Sequence, residues 1–138
     1  MIERYSRPAM NRVWSDAHRL GLWLEVELAM TAAREEAGSV PAGTARRIRE
    51  HARIDERRMQ EIEAETRHDV IAFLRMLAES IGDDARHVHT GMTSSDLVDT
   101  ALACQIVEAG GLLHAGLVAL RAQAHALAGQ SVNPRSRG

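Results

Sequence analysis

The sequence predicts an all-α protein: an N-terminal helical domain leading into the start of a long helical bundle, truncated there. Three observations carry this. Apolar residues recur at spacings of three and four in one segment after another. No segment sustains period-two alternation, and β-branched residues, which favour strands, are sparse. Apolar residues make up 45% of the 138 positions, too many for a disordered tail and enough for one domain with a core.

Each element has a local reason. Pro8 opens a short helix through Trp14, because its fixed φ and missing N–H suit a first helical position. Ser15 or Asp16 caps the next helix, where Trp23, Val26, Met30, Ala33 and Ala37 form the apolar stripe. Glu25, Glu27, Arg34 and Glu36 lie off that stripe. Gly38 ends the helix, and "GSVPAGT" is a turn with a proline restart. Thr44 to His51 reads as a short charged helix with weak burial. Another helix begins near Asp55, with Met59 and Ile62 inward and Arg57 and Glu61 paired one turn apart. After "TRHD", Val70, Leu74, Leu77 and Ile81 make one helical face, and "GDDARHVHTGM" is a loop.

The longest helix runs from Ser95 to about Leu127, with Leu102, Ile106, Leu113, Leu117 and Leu120 in register. Gly110 and Gly111 cost it roughly 1 kcal/mol each against alanine, so a kink is expected there. At about 45 Å it is longer than so small a domain can cover, and its far half needs other chain segments or other subunits. The expected organisation is an N-terminal helical domain over 1–94, the first long bundle helix over 95–128, and a tail over 129–138 without apolar periodicity.

Formal net charge is −2, which points to neither nucleic acid nor an anionic membrane as a partner. All 17 basic residues are arginine, and an arginine near a site offers a two-pronged fork to carboxylate or phosphate. Cys104 is the only cysteine, so no internal disulfide forms. It lies in an apolar stretch and reads as core. A reducing, cytoplasmic setting is the expectation. The start "MIERYSRPAM" has no apolar h-region, and no run approaches the roughly 20 residues that span a bilayer.

Three polar clusters sit beside helix ends: Arg4-Tyr5, Arg67-His68-Asp69, and "HTGMTSSD" from His89 to Asp96 with His87 just ahead. Each has a structural explanation. Arg4-Tyr5 fits an ordinary chain terminus, Thr66 and Asp69 fit a capping box, and Ser94 or Ser95 fits an N-cap. Taken together they also suit a small polyanion. Helix N-termini present free N–H groups, hydroxyls add donors, Gly91 allows close approach, and histidines titrate near neutrality. Other chemistries fit worse. No histidine or cysteine pair has metal-site spacing on one helix, and there is neither a phosphate loop nor a dinucleotide fingerprint.

"MIERYSRPAM" with Trp14, "LWLEVELA", "EIEAETRHDVIAFL" and "HTGMTSSDLVDTALA" resemble the N-terminal third of the adenylosuccinate lyase family, within the aspartase/fumarase superfamily. The resemblance runs from Met1 to about Ala128. It implies an all-helical homotetramer with a bundle shared between subunits. It also implies a small-molecule substrate, a succinylated purine nucleotide, from which fumarate is released by β-elimination without a cofactor. By the same resemblance Arg4 and Tyr5 serve the nucleotide phosphate end. Arg67, His68 and Asp69 form a second binding block, with His68 a candidate auxiliary acid. His89 contacts the substrate, and Thr93 and Ser94 hold its succinyl portion.

The sequence departs from that family at its end. Neither the "GRTHG"-like block carrying the acid histidine nor the serine loop supplying the base occurs, and "GQSVNPRSRG" matches nothing in the family. The expectation is a chain that holds substrate-binding residues and has no turnover by itself. Two other readings stand beside it: a helical self-association module without catalysis, and another fumarate-releasing lyase or a cycloisomerase of the superfamily.

Overall fold

The computed structural model describes residues 3–131; Met1, Ile2 and the tail from 132 onward lie outside the described residues. Six α-helices follow in order: α1 Pro8–Val13, α2 Asp16–Glu36, α3 Thr44–His51, α4 Glu56–Thr66, α5 Asp69–Ile81 and α6 Ser94–Ser131. Single 3₁₀ segments at Glu3–Tyr5 and Gly82–His87 complete the chain, the second lying inside the segment expected as loop. The described residues contain no strand, as the missing period-two alternation predicts.

Side chains set most helix starts. Ser15 accepts from the His18 N–H to begin α2, and Asp55 accepts from Arg58 to begin α4. Helix α3 starts differently: Gly43 occupies its cap at φ 82° and offers no side chain. Glu35, reaching across from α2, accepts from the backbone N–H of Gly43 at 2.9 Å and of Ala45 at 2.5 Å, doing the capping from a distance. The Ala45 and Gly43 N–H groups hold the Glu35 carboxyl below its ordinary pKa.

The core lies where α2, α3, α4, α5 and the start of α6 meet. Trp23 and Phe73 touch edge to face, ring centroids 5.3 Å apart at 87°, and Leu20, Ile48, Met59, Ile62, Val70, Leu77 and Leu97 close around them. The inward positions expected for α4 and α5 are found, with Leu74 half-buried and Phe73 and Met76 added to the face. Arg57 and Glu61 pair at 3.3 Å as expected. Charged ties cross the surface: Arg47 grips Asp84 with two 2.9 Å bonds, and Arg49 grips Glu25 with two of 2.6 Å. The hydrogen bonds from Arg47 and Arg49 lower the pKa of Asp84 and Glu25 respectively.

Three expectations about burial are overturned. In α2 the buried line is Leu20, Trp23, Glu27, Leu28 and Thr31; of the expected stripe only Trp23 is buried, and Met30, Ala33 and Ala37 are exposed. Counting apolar residues skips a line that includes Glu27 and Thr31, whose polar atoms are satisfied inside the fold. Thr31 donates to the Glu27 carbonyl at 2.8 Å, and Glu27 meets the α5–α6 connection. In α6 the buried line is Leu97, Ala101, Gln105 and Ala109, with the Gln105 amide donating to the Val13 carbonyl at 2.6 Å. Leu102, Ile106, Leu113, Leu117 and Leu120 all face outward. Helix α6 meets α1 and α2 through its buried line; its large apolar residues lie off it, Leu113, Leu117 and Leu120 bordering an open groove with Ala9 and Met10 of α1. Cys104, expected in the core, is exposed for the same reason.

Helix α6 is also longer than expected. Its 38 residues extend about 57 Å without interruption at Gly110 and Gly111. It is long and apolar enough to cross a membrane by length and composition, contrary to the expectation that no run approaches that size. Helix α3, expected to bury little, places Thr44 and Ile48 fully inside.

Candidate functional site

His89 is the most tightly held of the candidate residues. It lies in the connection between α5 and α6 with a left-handed backbone, φ 57°. Its backbone N–H donates to Glu27 Oε2 at 2.7 Å, and its ring Nδ1 lies 2.6 Å from Glu27 Oε1. Glu27 is 1% exposed, so its carboxyl group has been taken out of water, and both of its oxygens are met by this one residue. Seven residues further along α2, Arg34 donates to the Thr90 carbonyl at 2.5 Å. One helix thus grips the connection at two neighbouring residues. Gly91 follows at φ 80°, and a Cβ there would meet only Arg34 Nη1 at 3.9 Å. Backbone conformation, more than clearance, calls for glycine at this position.

The start of α6 is capped one residue earlier than expected. Thr93 is the cap: its N–H donates to Asp96 Oδ2 at 2.8 Å, and its hydroxyl oxygen lies 3.4 Å from the Asp96 N–H. Ser94 and Ser95, the expected caps, are instead the first helical residues. The Thr93 hydroxyl is therefore engaged within the box, whereas the Ser94 hydroxyl makes no hydrogen bond among the described residues. Asp96 already answers part of the positive end of α6, and an incoming anion has the remaining N–H groups and Ser94 to use.

The joint between α4 and α5 carries the second cluster. Arg67 ends α4 at φ 55°, the other left-handed residue that is not glycine, with an exposed side chain. It borders a shallow depression with Gln60, Glu63 and Ala64. The expected Thr66–Asp69 box does not form. His68 itself caps α5, its Nδ1 accepting from the Ile71 N–H at 3.4 Å, while Asp69 Oδ1 accepts from Val70 at 2.7 Å. The Thr66 hydroxyl instead lies within 3.2 Å of the His68 carbonyl. His68 Nδ1 is also 3.5 Å from Asp69 Oδ1. At the N-terminus the Arg4 guanidinium stacks 4.8 Å over the Tyr5 ring, both residues exposed.

Among the described residues no hydrogen bond or ion pair joins these clusters to one another. What the fold does bring together is Glu27 and Arg34 with the His89 connection, two residues that sequence reasoning placed on the solvent side of α2. The available signal was faint: in "LWLEVELA" the glutamate at 27 stands four positions after Trp23, on the same helical line.

The model of the lyase family matches residues 3–132. The chain belongs to that lyase family. Along 82% of its length it is 48% identical to an adenylosuccinate lyase of Staphylococcus saprophyticus, and along 78% it is 50% identical to one of Synechocystis sp.. It spans 26% and 25% of those two relatives, about a quarter of each. Among solved structures, a fumarate lyase from Mesorhizobium sp. BNC1 superposes with a TM-score of 0.65 at 22% identity, over 72% of this chain and 24% of that one. The likeness extends the family assignment to the fold, which is the all-helical lyase architecture.

Proposed function

We propose that this chain is the substrate-gripping segment of an adenylosuccinate lyase, an enzyme that releases fumarate from succinylated purine nucleotides by β-elimination. The observation that carries the reading is the identity of about half to adenylosuccinate lyases over 82% and 78% of the chain. In this reading Arg4 and Tyr5 take the phosphate end, and Arg67, His68 and Asp69 form a second wall. His89 contacts the substrate, and Thr93 and Ser94 take its carboxylated end. Elimination needs a base for the proton beside a carboxylate and an acid for the departing nitrogen, with donors to hold the negative charge that builds up. The chain supplies donors. The sequence carries no "GRTHG"-like block and no serine loop, so turnover needs residues from outside it.

The exposed line Leu113, Leu117 and Leu120 supports assembly with further chain, as a homotetramer would provide. A lone cysteine, Cys104, fits a reducing cytoplasmic setting.

The test is functional complementation. Adenylosuccinate given to the purified chain alone is expected to yield no AMP. Mixed with the remaining three quarters of the Staphylococcus saprophyticus relative, the chain is expected to produce AMP, and His89→Ala is expected to lower that rate at least tenfold. Adenylosuccinate that neither binds the chain nor turns over in the mixture overturns the reading.

A further inference from the structure

A histidine's value to a ligand depends on which ring nitrogen carries the proton and where the ring is fixed. His89 has both settled by one side chain. Glu27 presents two oxygens to the same residue: Oε2 accepts from the backbone N–H at 2.7 Å, and Oε1 lies 2.6 Å from Nδ1. An ionised Glu27 has no proton to give, which puts the ring proton on Nδ1. Nε2 makes no hydrogen bond among the described residues and is the ring atom left for a ligand. The carboxylate is 1% exposed and the histidine side chain 18%, so water competes poorly for either bond. Arg34, two turns further along α2, holds the next carbonyl and keeps the left-handed backbone of His89 in place.

We propose that Glu27 is a positioning residue: it locks His89 as the Nδ1–H form and in its left-handed backbone, so that the Nε2 lone pair accepts from a donor group of the substrate. The inference rests on the reading above that His89 contacts substrate, and Glu27 acts through His89 without touching the substrate. Carboxylates in the same relation to metal-binding histidines change affinity by roughly tenfold to a hundredfold. A comparable dependence is expected here.

Glu27→Gln separates a lock from a filler. The pocket must accept two hydrogen bonds, and a glutamine of the same shape has one acceptor and one donor. With its oxygen on the backbone N–H, its amide must donate to Nδ1, and the ring turns over to the Nε2–H form. Nitrogen-15 NMR of the imidazole rings in the 138-residue chain reads this directly. In the wild type, a neutral His89 in the Nδ1–H form is expected, switching to Nε2–H in Glu27→Gln, with roughly tenfold weaker adenylosuccinate binding. His89→Ala is expected to lose the same amount, and the double variant no more. A wild-type ring in the Nε2–H form overturns the inference even if the variant does not fold. So does a Glu27→Gln ring that keeps the wild-type form, or unchanged affinity in that variant. A wild-type chain that does not bind adenylosuccinate removes the function proposed above, while the form of the ring still decides the role of Glu27.

Discussion

Thr93 and Ser94 stand side by side, and the structure gives them different work. Thr93 closes a box with Asp96: the Asp96 carboxylate accepts from the Thr93 N–H, and the Asp96 N–H lies 3.4 Å from the Thr93 hydroxyl oxygen. Ser94 is already inside the helix with its hydroxyl free among the described residues. Removing a threonine cap costs about 1 kcal/mol, whereas removing a half-buried hydroxyl that makes no bond costs less than about 0.5 kcal/mol. Urea unfolding is therefore expected to rank Thr93→Ala well below Ser94→Ala in stability. Adenylosuccinate affinity should rank them in the opposite order, since Ser94 has the uncommitted hydroxyl. Equal stability losses would return the cap to Ser94. Among the described residues Arg67 and His89 are the two other than glycine with left-handed backbones, and both lie in the candidate clusters. Such conformations cost free energy and persist where the surroundings fix them.

Helix α3 shows how a short element is held mainly from outside. It has eight residues, no capping side chain of its own, and one large apolar anchor, Ile48. Isolated helices of this length are unstable in water. Glu35 caps it from α2, Arg49 ties it to Glu25, and Arg47 ties it to Asp84 in the 3₁₀ segment. All three carboxylates have pKa values below the ordinary range, by hydrogen bonds from Ala45, Arg49 and Arg47 respectively. A carboxyl with a lowered folded pKa contributes stability that is complete above its unfolded pKa of about 4 and is lost as pH falls through the folded value. Among the described residues the α4–α5 pair has one such carboxylate, Glu79 held by Arg58, beside a broad apolar contact through Met59, Ile62, Val70 and Phe73. Acid is therefore expected to loosen α3 first. Amide hydrogen exchange at Ile48 and Ala52, compared with Phe73 and Leu77, checks this between about pH 5 and pH 3. Glu35→Gln should bring the same loosening to neutral pH, because the amide cannot accept from both Gly43 and Ala45. Uniform protection across the two regions in acid would remove the claim.

For the whole molecule the dominant feature is a helix of about 57 Å on a domain that covers only its first part. From 110 to 129 no side chain of α6 is buried, and Leu113, Leu117 and Leu120 are each more than 60% exposed. An apolar line of that length seeks a partner surface. The chain is expected to self-associate at micromolar concentration in sedimentation velocity, and Leu117→Glu with Leu120→Glu to shift it toward monomer. The helical content should change little, because these side chains touch little of the domain core. A wild-type chain that stays monomeric would show that the line is tolerated in water.

The sequence alone determined the helical class and the approximate positions of all six helices, because period and capping are local properties of neighbouring residues. It also showed which polar clusters stand at helix ends. It did not determine which side of α2 and α6 turns inward. That choice depends on partners distant in the chain, and a polar residue can take a core position when one of them satisfies it. Glu27 is the clearest case: read locally it belongs to the solvent face, yet His89, 62 residues away, brings the two hydrogen bonds that make its burial possible. Only the tertiary structure could join those two residues, because the hydrogen bonds that compensate the buried charge exist only once α2 and the α5–α6 connection have come together.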